Sequence, residues 1–353
     1  MKKWNVYAPV IIPTLCRYEH FKRCVESLSR CTGAEYTDLY IGLDYPFKEA
    51  HTEGYQKICE YVNTIRGFKN VFVFKRETNL GVTPNARDLR ARVQEKYDRY
   101  IYTEDDNEFA PNYLEYMNAG LELYKDHPDV LYICGYLIDW GGDFEKCMGT
   151  YKYNAFPAKD FNASGYGMWT NKIPNIELTK MSVLNSWKLT FKAFRKGYCR
   201  AINRMVYQLH KESQLPDVCK RLYCAFNNKY CIFPRVSKVR NWGYDGTGLN
   251  SDNNPKWIMA VNLDTATDFE FDDFEVKDYK EVKQFVYQMY ACHPGVSWIR
   301  SHLGVLRHYL FYRITGMRIL DIPEGSNSIS FLWSFFIHKL KFIGKDDSFK
   351  QKI

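Results

Sequence analysis

The sequence contains no C-x-x-C pair, and its eleven cysteines are odd in number and scattered. That argues against a secreted disulfide framework and against a structural zinc site, so a reducing cytosol is expected. Cys219, Cys224 and Cys231, with His210 upstream, fit no compact zinc spacing and read as buried thiols. No apolar run approaches the ~20 residues of a membrane span. The nearest is FLWSFFI at 331–337. The start, MKKWNVYAPVIIPTL, has a short apolar run interrupted by Pro9 and Pro13, and reads as a first strand rather than a signal peptide. Internal repeats and low-complexity tracts are missing. No nucleic-acid-reading motif is recognisable either, and no nucleic-acid partner is expected.

What is present suits a large core. The chain has 353 residues, 46% of them hydrophobic, enough for one large domain with an appendage or for two domains. Aromatics reach 17%, which first means packing and second means stacking faces for sugars or bases. The net charge is +8 and uneven: Lys277 to Ile353 carries 12 Lys and Arg against 6 Asp and Glu. Such a tail suits an anionic membrane surface, a phosphorylated ligand or nucleic acid, or serves solubility alone.

The first 135 residues alternate between two periods. VYAPVIIP, TDLYIGLD, NVFVFK, RYIYTE and VLYICGY read as strands. Helical spacing runs from Tyr18 to Arg30, from Phe47 to Arg66, from a Thr83–Pro84 start to about Tyr97, and again from Pro111. This predicts βαβ units and an α/β fold with a mostly parallel sheet flanked by helices. Ligands of such sheets sit beyond the carboxyl ends of the strands. Asp44 and the run Glu104, Asp105, Asp106 and Glu108 fall there. Beyond residue 140, Gly, Tyr and Trp suit binding loops. Helical signals return between Leu178 and Asn227, 252–280 reads as acidic loop, and the remainder is helical, basic and aromatic.

Four carboxylates within five positions repel unless water or a cation relieves them. A hard cation such as Mn²⁺ or Mg²⁺ takes one or two carboxylates together with water and substrate phosphates. Without histidines nearby, zinc is disfavoured. The competing reading is an acidic turn in front of the next helix. In TNLGVTPNARDL, Gly81 permits a tight turn, and Arg87 reads either as a phosphate or base contact or as a surface arginine.

PTLCRYEHFKRCVESL, a second strand ending in Asp44, NLGVTPNARD and YTEDDNEFAPNYLEYM occur in the order seen in nucleotide-sugar glycosyltransferases of the GT-A (Rossmann-like) fold. The chain resembles N-acetylglucosaminyltransferase I and the family 2-like bacterial enzymes that build capsule and O-antigen chains. The resemblance covers residues 6 to 135 and continues more weakly to about 250. It implies that Pro13, Thr14 and Arg17 lie beside the nucleotide, that Asp44 accepts from uracil or ribose, and that Arg87 contacts base or diphosphate. It further implies that Asp106 ligates the metal, with Asp105 and Glu104 on metal, ribose or donor sugar. The cluster reads E-D-D-N instead of a strict D-x-D, which leaves the ligating carboxylate open. FNASGYGMWTNK (161–172) looks like the loop near the donor sugar, with Gly165 and Gly167 for close approach and Trp169 as a stacking face or a core residue. FPRVSKVRNWGYDGTGLNSD (233–252), with Arg240, looks like the loop that closes over the diphosphate. The weaker similarity offers Asp217 as catalytic base, with Glu177 and Asp160 as rivals.

The expected function is therefore metal-dependent, inverting transfer from a nucleotide sugar, a UDP-sugar first, to a glycan or lipid-linked oligosaccharide acceptor in cell-surface polysaccharide synthesis. The expected place is the cytoplasm, including the inner face of the membrane. Residues 1–275 would form the catalytic domain, with 1–135 as its nucleotide-binding half and 136–275 as its acceptor half. Residues 276–353 would form a helical C-terminal appendage suited to an anionic bilayer or to packing. A sugar-nucleotide nucleotidyltransferase would need a glycine-rich first loop, and IIPTLCRYE has none. A non-catalytic carbohydrate- or nucleotide-sugar-binding protein is the other alternative.

Overall fold

A computed structural model describes residues 4, 6–137, 144–172, 174, 176–210, 215–248, 256–259, 261–291, 297–322 and 327–341. Contacts group the chain into two compact units. The first comprises 1–176 and 220–286; the second comprises 177–219 and 287–353. The helical segment that interrupts the first unit does not follow the expected break at 275. The division into 1–275 and 276–353 is thus an expectation that this grouping does not reproduce.

The first unit begins with β1 (Val10–Thr14), α1 (Tyr18–Ser29), β2 (Asp38–Leu43), α2 (Thr52–Tyr61), β3 (Asn70–Lys75), α3 (Val82–Gln94) and β4 (Arg99–Tyr102). Next come β5 (Asn107–Phe109), α4 (Tyr113–Leu123), β6 (Val130–Cys134), α5 (Phe144–Met148), β7 (Ala155–Ala158) and β8 (Tyr166–Trp169). The helical segment supplies α6 (Lys180–Asn185), α7 (Trp187–Arg195) and α8 (Cys199–Tyr207). α9 (Pro216–Asn227) leads back to β9 (Tyr230–Pro234), β10 (Val239–Asn241), α10 (Lys256–Met259) and α11 (Lys280–Ala291). α12 (Trp298–Thr315) and α13 (Ser328–Lys341) follow.

Eight strands form one sheet in the order β3-β2-β1-β4-β8-β6-β9-β7. β8 and β7 run against their neighbours and the other six share one direction, so the expected α/β fold with a mostly parallel sheet is present. Every residue of β1, β2, β4, β6 and β8 is buried, as both-sided coverage by helices requires. Tyr100, Tyr113, Tyr116 and Tyr132 are among the largest fully buried side chains, so much of the aromatic excess is packing.

Chain order reverses at β1. The chain moves outward from β1 to β2 and β3, then returns to lay β4 on the other side of β1. On that side, Pro9 and Ile11 accept from Ile101 and Thr103 at 2.8 and 3.1 Å. Carbonyl and amide of one strand residue point the same way, so the next position facing β4 is Pro13, which has no N–H to offer. The ladder ends there, with Ile11 opposite Tyr102 as the last pair. A crevice at the carboxyl end of a strand-order switch is where ligands of open α/β sheets bind.

The second unit is helical. α12 packs on α8 and α6, burying Val305, Tyr309 and Tyr312 with Leu184, Ile202 and Met205. Ser186 and Ser297 cap α7 and α12, and Gly316 closes α12 at φ +74°. Among the described residues no helix is long and apolar enough to cross a membrane.

Candidate functional site

The register of β1 and β4 builds the site. Asp105 lies three residues past Tyr102 and Thr14 three past Ile11, so the two reach the same level. Thr14 Oγ1 donates to Asp105 Oδ2 at 2.9 Å. Arg17, the N-cap residue of α1, places one guanidinium nitrogen against both acids: it contacts Asp105 Oδ1, and it lies 2.9 Å from Asp106 Oδ2. Asp105 and Asp106 are only 7% and 8% exposed. The charges are therefore relieved from within the chain, by an arginine, rather than by bulk water.

A short strand separates the acidic turn from the next helix, where the sequence suggested a direct step into helix. β5 pairs antiparallel with β10, Asn107 opposite Asn241 and Glu108 opposite Arg240. This ladder carries the 241–247 loop onto the acids. Trp242 N–H donates to the Asp106 carbonyl at 2.8 Å, and Asn241 Nδ2 reaches Asp106 Oδ1 at 3.4 Å. A Cβ added to Gly243 would lie 2.2 Å from Asp106 Oδ2, so glycine is what lets this backbone close in. Farther along the loop, Asp245 faces His20 at 3.1 Å and accepts from Thr247 N–H and hydroxyl at 3.0 and 2.8 Å. Burial raises the Asp245 carboxyl, yet the Thr247 bonds and the charges of His20 and Arg17 hold it below its ordinary value.

Burial lowers the Arg17 pKa, but the charges of Asp105 and Asp106 outweigh it and hold the guanidinium firmly protonated. Asp106 moves the other way: burial, aided by Asp105, raises its carboxyl despite Arg17. Each side of this triad is poorly tolerant of losing the other.

Asp44 follows β2 at the same end of the sheet, its N–H donating to the Thr14 carbonyl at 2.9 Å. Its carboxylate accepts from Tyr45 and Leu80 N–H through Oδ1, at 3.0 and 2.8 Å, and from Gly81 N–H through Oδ2 at 2.8 Å. Asp44 thus fixes the turn that opens α3. Gly81, at φ +80°, takes a backbone conformation few other residues adopt.

The residues predicted from sequence part company here. Thr14, Arg17, Asp105 and Asp106 converge, Pro13 ends the ladder beneath them, and half-buried Glu104 precedes them. Arg87 is exposed on α3. Arg240 is paired to Glu108 at 3.3 Å. Of the two alternatives for Trp169, the structure has the core residue: it lies in β8, 2% exposed, its Nε1 donating to the Leu121 carbonyl at 3.0 Å and its face covered by Lys172 at 4.0 Å. Gly165 is tight against Tyr113 Oη, at 2.9 Å from an added Cβ, so the close approach there is by protein. Asp160, a rival base candidate, is 7% exposed and bound by Arg221 Nε at 2.6 Å. Asp217 stands half-buried in the first turn of α9, and Glu177 is exposed; both belong to the second unit. His20 and Trp242 were not singled out from sequence. The i,i+3 spacing of His20 from Arg17, one turn into α1, is the signal that could have found the first.

Asp105 and Asp106 offer the hard oxygen donors that Mg²⁺ or Mn²⁺ prefers. Among the described residues no three His, Cys, Asp or Glu side chains form a ready-made metal cage. The pair suits a cation that completes its shell with substrate phosphates, provided Arg17 yields its place between them. Arg17 Nη1 is buried and has no hydrogen-bond partner.

No family model matches the chain, and no curated protein does. Solved structures overlap it in part. S. aureus TarS is 16% identical over 34% of this chain and 20% of its own, with a TM-score of 0.26. Its 1–349 fragment is 12% identical over 46% and 47%, at 0.30. The mannosyltransferase PcManGT from Pyrobaculum calidifontis, in complex with GDP-Man and Mn²⁺, is 10% identical over 63% of this chain and 72% of its own, at 0.34. This chain thus matches less than half the length of either TarS structure.

Proposed function

We propose that the chain is a nucleotide-sugar glycosyltransferase whose donor binds over the carboxyl ends of β1, β2 and β4. The observation that carries this is the convergence of Thr14, Arg17, Asp105 and Asp106 at the strand-order switch, where Pro13 ends the β1–β4 ladder. Asp106, with Asp105, would hold Mn²⁺ or Mg²⁺, which supplies neutralisation of charge on a departing diphosphate. Arg17 is a second cation at that place, and its buried Nη1 is a donor in search of an acceptor such as a phosphate oxygen. Asp44 holds the α3 turn that would border the base, and Arg87 projects from that helix. A UDP-sugar is the first donor to try.

Inversion requires a carboxylate within reach of the acceptor hydroxyl. Asp217 is the first candidate and Glu177 the second. The acceptor would be a glycan or lipid-linked oligosaccharide of a cell-surface polysaccharide. Donor hydrolysis across UDP-, GDP- and dTDP-sugars tests the reading, with turnover of one class expected. Nucleotide-sugar binding by the folded protein with no turnover of any would instead identify a non-catalytic binding protein.

A further inference from the structure

The helical unit concentrates the positive charge of the molecule. Its segments 177–219 and 287–353 carry 17 Lys and Arg against 7 Asp and Glu, a net +10 that leaves the sheet unit at −2 within the total of +8. α12 carries two apolar faces. One buries Ser301, Val305, Tyr309 and Tyr312. At about 100° per residue, Ile299, Leu303, Leu310 and Ile314 fall on another. Those four are 63%, 60%, 37% and 37% exposed, and exposed Arg300 and Arg307 flank them.

α7 extends this face. Trp187 and Phe191, 43% and 49% exposed, stack at 5.8 Å, and Trp187 packs on Tyr309 at 5.2 Å beneath Arg313. On the α12 wheel, Arg313 lies about 40° from Ile299, at the edge of the exposed stripe, and buried Tyr309 about 80° from it, so α7 borders the stripe on that side. Lys188 and Arg195 are exposed on the same side of α7 as the two rings. Ile299 and Leu303, with Arg300 and Arg307, also edge an open cleft against Asn203 and Tyr207 of α8. Exposed apolar side chains ringed by cations suit the headgroup boundary of an anionic surface.

We propose that this face of α7 and α12 docks reversibly on an anionic lipid surface. The stripe enters the headgroup boundary, and Lys188, Arg195, Arg300 and Arg307 meet lipid phosphates. This gives residues to the membrane partner expected from composition, and it stands independently of the nucleotide-sugar reading. Flotation of the full chain with phosphatidylcholine vesicles, with and without phosphatidylglycerol, tests it. Recovery is expected with anionic vesicles alone, falling as salt rises, and roughly tenfold weaker in Arg300→Glu/Arg307→Glu. The Ile299→Ser/Leu303→Ser variant should lose binding as well, while circular dichroism shows the helices intact. Should either variant misfold, the salt dependence of the unaltered protein decides. No flotation with anionic vesicles, equal flotation with neutral ones, or displacement by duplex DNA at the same salt would overturn the proposal.

Discussion

Arg17 is the residue on which the electrostatics of the site turn. It compensates two carboxylates that are both over nine-tenths buried, so removing it leaves them facing each other. Arg17→Ala should destabilise the protein by about 3 kcal/mol in the absence of divalent cation. Mn²⁺ should then raise the melting temperature of the variant more than that of the unaltered protein, because it replaces the missing charge. Equal shifts in a thermal-melt comparison would show that the ion does not bind between the acids. Gly243→Ala is the complementary change. Its Cβ would collide with Asp106 Oδ2, so Mn²⁺-dependent nucleotide binding should weaken at least about tenfold by calorimetry while the fold persists. The sequence made the crowding of the acids legible, and with it the need for a cation. It did not make legible that Arg17 already supplies one, since that depends on the geometry of the α1 N-terminus.

At the scale of elements, parallel strands with continuous apolar runs were readable because each is buried on both faces. β8 was not. Tyr166–Trp169 contains Gly167, and a glycine in a strand marks close approach without saying by what. The group that approaches Gly167 is Leu121 of α4, 3.0 Å from an added Cβ, so this glycine serves helix-on-sheet packing. β5 and β10 were missed because three-residue strands have no period to detect. Lys172 makes the junction of α4 and β6 testable. Its ammonium donates to the Tyr124 and His127 carbonyls at 2.7 and 2.9 Å, and burial lowers its pKa from 10.5 to about 8, against a pull from Asp126. A depressed lysine leaves the unfolded chain holding more protons between these values, so its contribution to stability rises from pH 8 to 10.5. Lys172→Met should flatten that rise in denaturant titrations. It should also cost about 1–3 kcal/mol near neutrality, where the carbonyls lose their donor. An unchanged pH slope would show that another group titrates there.

At the scale of the molecule, the tail charge was legible from residue counts, whereas its continuation into 177–219 was not, because a unit assembled from two distant segments has no contiguous signature. The strand-order switch is likewise a property of the whole sheet. It decides why Thr14, Asp44, Asp105 and Asp106, far apart in sequence, end on one rim. As proposed above, that rim would bind a nucleotide diphosphate through a cation held by Asp106. Calorimetry of UDP binding with and without Mn²⁺, in the unaltered protein and in Asp106→Ala, tests it most directly. Binding should require Mn²⁺ and be lost in the variant. Binding that is as tight in Asp106→Ala as in the unaltered protein, with Mn²⁺ present, would contradict it.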